Sequence, residues 1–184
     1  MNRNCRGMIG PRNTISNLAY AVVGTYLAWK YQDSASAALG VALWVLATGS
    51  ALYHAQKTLR ANRLDWVGMY MVAGALVAHG LVPRLPGVSW AMLAVGGAWV
   101  AYYGHQRWMS ADWHIALAMV LGSIRPALSG HLGVVGWAWL AFAVAYGAWH
   151  LDKAHSRWVG KYGHAAWHVL TAVAIGLCFI AQQG

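Results

Sequence analysis

Carboxylates are nearly missing from this chain. Only four of its 184 residues are acidic, Asp33, Asp65, Asp112 and Asp152, and none is a glutamate. Charged residues of both signs make up 9%, too few for an ordinary soluble domain. Cysteine is almost as rare. Cys5 and Cys178 fall near opposite ends of the expected topology, so neither an intramolecular disulfide nor a thiol metal pair is expected. The first dozen residues carry Arg3, Arg6 and Arg12 among polar neighbours and lack the apolar core and small-residue cleavage site of a signal peptide, which leaves membrane insertion to the first helix. No long-period repeat, low-complexity tract or interdomain linker is visible, and residues 1–184 read as a single domain.

What fills the chain is apolar: 59% of the residues are hydrophobic. A membrane-spanning helix takes about 20 apolar residues, so this length accommodates about seven spans with short loops. Apolar runs bounded by charged or Gly/Pro-containing stretches predict helices over 13–30, 35–56, 64–81, 88–105, 112–128, 132–150 and 162–182. The fold class expected is all-α, a polytopic membrane protein built as a seven-transmembrane helix bundle. The fifth run is the weakest signal, being short and having Arg125 and Pro126 near its end.

With seven spans, ten basic residues share one side: Arg3, Arg6, Arg12, Lys57, Arg60, Arg63, Arg107, Lys153, Arg157 and Lys161. Lys30, Arg84 and Arg125 share the other. This bias puts the N-terminus in the cytoplasm and the C-terminus outside. The net charge of +9 therefore reads as lipid head-group contact and topology in the bilayer, with no nucleic-acid partner expected. Small size and compact loops suggest a bacterial cytoplasmic membrane. The oligomeric state is left open.

Nine histidines are many for so apolar a chain. His79, His105, His114, His131, His150 and His155 have no ligand spacing around them and are expected to be packed or hydrogen-bonded. His164 and His168 differ: a separation of four puts both imidazoles on one helical face, where both can reach one metal ion. A catalytic zinc normally takes three protein ligands and keeps one position open. His54 is the candidate third ligand, because the second helix ends on the side from which the seventh begins. Four residues before it, Ser50 shares its face and can turn its hydroxyl toward water at the metal or toward a developing oxyanion; alone, it would be a small residue packing between helices. Asp65, expected to open the third helix, is either a surface carboxylate paired with Arg63 or Arg60 or the base that accepts and returns a proton in a metal hydrolase.

These residues resemble the motifs of the CREST superfamily, which unites alkaline ceramidases with adiponectin and progestin receptors. Ser-x3-His stands as Ser50 to His54 in "GSALYHAQ", the helix-heading Asp as Asp65 in "NRLDWVGMY", and His-x3-His as His164 to His168 in "GHAAWHVL". "NTISNLAY" over 13–20 and the Gly-His-Ala-x-Trp-His form of the last motif resemble the ceramidase branch in particular. The resemblance implies zinc held by His54, His164 and His168, with Ser50 and Asp65 hydrogen-bonding the catalytic water. Asp152 in "HLDKAH" also resembles a family position, though a loop carboxylate beside Lys153 explains it equally well. Animal alkaline ceramidases have an acidic, calcium-binding N-terminal segment; here that segment carries arginines, so calcium is not expected.

The activity expected is zinc-dependent cleavage of the amide bond of ceramide or a related N-acyl membrane lipid. Two alternatives stay open: a seven-helix lipid sensor or receptor with a structural zinc, and a transporter or channel using intramembrane histidines. The latter calls for polar groups spread through the membrane depth, whereas these cluster toward one face. Which lipid is the substrate, and whether the ion is zinc or another that imidazoles accept, the residues do not fix.

Overall fold

The computed structural model describes residues 10–83, 85–103, 111–154 and 162–184. These are helical throughout, with no strand among the described residues. In chain order the helices are α1 (Pro11–Ser16), α2 (Leu18–Tyr31), α3 (Ser34–Gln56), α4 (Leu59–Leu81), α5 (Pro86–Tyr103), α6 (Ala111–Leu128), α7 (Leu132–Lys153) and α8 (Gly163–Gln182). Four of them, α3, α4, α7 and α8, are long and apolar enough to cross a membrane, and shorter apolar helices cover Gly87–Trp99 and His114–Leu128. Large side chains such as Trp29, Trp44, Trp137 and Leu140 face outward, as they do where lipid rather than water surrounds a bundle. These helices mark the chain as a membrane protein.

The starts of the first and third runs differ from the sequence expectation in ways that bear on the site. The first run begins at Pro11, not Asn13, and divides at Asn17 into the short α1 and the longer α2. Pro11 supplies the preset φ that favours a first helical turn. The larger difference is at α4, which begins at Leu59 rather than Leu64. Lys57, in the left-handed region, ends α3, and the Thr58 side chain caps the new helix by accepting from the Ala61 N–H at 3.2 Å. Arg60 and Arg63 are thus exposed positions on the opening turns of α4, not loop residues, and Asp65 lies within the helix rather than at its head. α7 likewise continues past His150 to Lys153, which puts Asp152 on a helix.

Small residues set the spacing between α3 and α4. A Cβ added to Gly68 would meet the Leu46 backbone at 2.4 Å, and one added to Gly49 would meet the Asp65 N at 2.6 Å. Without a hydrophobic drive between helices in lipid, such close backbone approach supplies the packing. Here it also fixes the distance between Ser50, next to Gly49, and Asp65. Behind them Leu39, Leu43, Val72, Leu76, Met119, Ile175 and Phe179 form a fully buried core shared by α3, α4, α6 and α8.

A histidine cluster at one end of the bundle

His54 occupies the last turn of α3, and His164 and His168 the first two turns of α8. The end of one helix and the start of the other come together, so the spacing read from the sequence becomes a three-ring cluster. His54 Nε2 lies 3.1 Å from His164 Nε2. Ring centroids are 4.7 Å apart for His54 and His164, 5.0 Å for His54 and His168, and 4.7 Å for His164 and His168. One ligand atom from each ring falls within 4.8 Å of the others, and among the described residues no other group of histidine, cysteine or carboxylate does so.

The arrangement fits a metal ion by its donor chemistry. Zinc binds imidazole nitrogen at about 2.0–2.1 Å, so two nitrogens on one tetrahedral ion stand about 3.4 Å apart. The His54–His164 separation is close to that, and two neutral rings meeting nitrogen to nitrogen share at most one proton unless a cation lies between them. Elsewhere on these rings, His168 Nδ1 sits 2.8 Å from Ser16 Oγ, and His54 Nδ1 sits 3.1 Å from Lys57 Nζ. The lysine contact suits a metal at Nε2 only when the amine accepts from Nδ1–H or swings away. Desolvation lowers the Lys57 pKa from its ordinary value, against an opposing pull from Asp65.

No family model, curated protein or solved structure matches this chain.

Asp65 turns inward. It is buried and lines the same cavity as Ser50, whereas Arg60 and Arg63 face outward. The surface ion pair that the sequence allowed is not formed. Ser50, His54, Asp65, His164 and His168 together line a cavity of about 480 Å³, which continues past Leu46, Met69, Trp149 and Trp167. An apolar groove of about 810 Å³ between α2 and α3 contains no ionisable side chain.

Asp152 is no loop carboxylate. From α7 its Oδ2 accepts the backbone N–H of His164 at 3.0 Å, supplying a cap that Tyr162, at the N-terminus of α8, does not provide with its own side chain. Asp33 is structural: its carboxylate accepts the Ser36 N–H at 2.6 Å and closes a capping box on α3. Asp112 falls in α6, where its side chain is outside the described residues.

The other histidines follow the packed or hydrogen-bonded expectation where they are described. His79 stacks on Phe179 and meets Gln183, His114 reaches the Tyr70 hydroxyl at 2.9 Å, and His150 packs edge-on to Tyr146. His131 is an exception, with a buried Nδ1 that has no partner. His105, His155 and Cys5 lie outside the described residues; Cys178 is free and buried. Sequence reasoning missed Ser16 and Lys57. The Lys57 contact had a local signal in its place three residues after His54, whereas Ser16 had only its position in "NTISNLAY".

Proposed function

We propose that this chain is a seven-span zinc hydrolase of the membrane that cleaves the amide bond of ceramide or a related N-acyl lipid, giving a fatty acid and an amino-lipid. The observation that carries this reading is the meeting of three imidazoles with a buried carboxylate–hydroxyl pair in one cavity. His54, His164 and His168 would hold the ion. Three protein ligands leave room for water, and a bound zinc supplies Lewis acidity that makes water a nucleophile near neutral pH.

The chain's own groups account for the proton traffic. Asp65 takes a proton from the attacking water as the water oxygen bonds to the amide carbon. Ser50 donates a hydrogen bond to the oxygen on which negative charge develops. Asp65 then returns the proton to the nitrogen as the C–N bond breaks, so that amide and water become carboxylic acid and amine. The apolar side of the cavity suits an acyl chain arriving from the bilayer.

Seven crossings are supported by the way α3 ends and α8 begins at the same end of the bundle, with four helices between them. The basic-residue bias supports an N-terminus and zinc site facing the cytoplasm. The resemblance to alkaline ceramidases supports the substrate class.

The test is zinc content by elemental mass spectrometry on detergent-purified protein beside His54→Ala and His168→Ala, with fatty-acid release from N-acyl sphingoid lipids followed on the same samples. About one zinc per chain, lost together with activity in both variants, is the expected result. Bound zinc without turnover on any N-acyl lipid would favour the sensor reading. Wild-type protein that takes up no metal would sink the proposal.

A further inference from the structure

A histidine ligates a metal through a nitrogen that carries no proton, so whatever holds the other ring nitrogen decides whether the ring is ready. Ser16 Oγ lies 2.8 Å from His168 Nδ1 and 3.1 Å from the Asn13 carbonyl oxygen. A carbonyl can only accept, so the Ser16 hydroxyl donates its one proton to Asn13 and turns a lone pair toward the imidazole. Nδ1 must then carry the proton, which leaves Nε2 bare on the side of the other two rings.

From this geometry we infer that Ser16 is a positioning residue of the metal site: it holds His168 in the Nδ1–H tautomer and aims Nε2 at the ion. The inference rests on the metal reading above but not on the identity of the substrate. It also gives a role to α1, which contributes no buried residue of its own. Gly10, just before α1, lies against the end of α3, where an added Cβ would make an ordinary contact of 3.4 Å with the His54 carbonyl oxygen. Asn17, 1% exposed, donates to the Asn13 carbonyl at 2.6 Å. The short helix is thereby moored beside both ligand-bearing helices, with its one serine facing His168.

A serine bonded to the carbonyl three residues back is common in helices and by itself means little. The 2.8 Å contact with a ring 152 residues away is what sets this one apart.

The decisive experiment measures zinc affinity by competition with a chromophoric chelator on the full-length protein, comparing wild type, Ser16→Ala and Ser16→Thr. Loss of a hydrogen-bond partner behind a ligand typically weakens metal binding about 10–100-fold, and that is the drop expected for Ser16→Ala. Ser16→Thr, which keeps the hydroxyl, should return to within a few-fold of wild type. Equal affinity in wild type and Ser16→Ala, or a threonine variant as weak as the alanine one, would overturn the inference.

Imidazole nitrogen NMR on the zinc-free wild type gives a second readout that does not depend on how well Ser16→Ala folds. The His168 ring, identified by its loss in His168→Gln, should be protonated at Nδ1, and protonation at Nε2 would overturn the inference. Failure of wild type to bind zinc would remove the metal reading itself. Zinc bound without lipid hydrolysis would remove only the proposed activity.

Discussion

The two ends of this bundle both gather polar side chains, and they use them in opposite ways. At the end opposite the histidine cluster, Asp33, His79, Arg125 and Gln182 surround a cavity of about 320 Å³. Each of them is tied to backbone or to a neighbour. Arg125 donates to the carbonyls of Gly80 and Gln182, Gln182 Nε2 donates to Leu76 and Gly122 at 3.1 and 2.9 Å, and Asp33 caps α3. At the cluster end, three imidazoles turn toward one another, and a buried carboxylate has a hydroxyl as its neighbour. Polar groups spent on carbonyls fasten helices together, whereas polar groups that converge with capacity left over can hold an ion or move a proton.

The hardest way to break this contrast is to delete one histidine at each end. His164→Ala should abolish stoichiometric zinc binding, because two imidazoles do not make a site that survives purification. His79→Ala should keep about one zinc per chain and lose only stability, about 0.5–3 kcal/mol, from the vacated stack on Phe179. Zinc content and thermal melting of the two variants check this. Equal zinc loss from both would mean that the ends are not functionally distinct.

Within the cluster end, Asp65→Asn separates holding from reacting. The amide keeps the volume and can still meet Ser50, so zinc should remain. Removing a general base costs about a hundred- to ten-thousandfold, and turnover on N-acyl lipid should fall by that order. A variant that hydrolyses at the wild-type rate would return Asp65 to a packing role.

At the far end, Arg125→Met sharpens the comparison from the other side. Hydrogen bonds from a charged donor contribute about 1.5–3 kcal/mol, less where lipid-embedded helices can find other partners. The variant should melt earlier while zinc affinity stays at the wild-type value, measured by the same chelator competition.

How much of this could be read in the sequence follows the same divide. The all-helical, apolar character and the i, i+4 pair were legible because both depend on local periodicity: long apolar runs, and His164 one turn before His168. His54 was reachable by topology alone, since an even number of helices separates it from α8. The start of α4 was misjudged because Arg60 and Arg63 look like loop residues until Thr58 is recognised as a cap. Ser16 and Asp152 were not assignable to the site, because their partners, His168 and the His164 N–H, are found by packing and not by any spacing rule.

Asp152 offers the smallest and most discriminating test, because it touches the site only through backbone. Its carboxylate satisfies the His164 N–H, one of the orphan donors at the start of α8, and so fixes the turn from which two of the imidazoles project. Removing such a cap costs about 0.5–2 kcal/mol, so Asp152→Ala should lower the melting temperature modestly and weaken zinc binding less than Ser16→Ala does. Asp152→Asn keeps a carbonyl oxygen in place and should recover most of both losses. If the asparagine variant restored stability without restoring zinc affinity, the negative charge itself would be acting on the ion, and Asp152 would belong to the electrostatics of the site rather than to the framing of its helix.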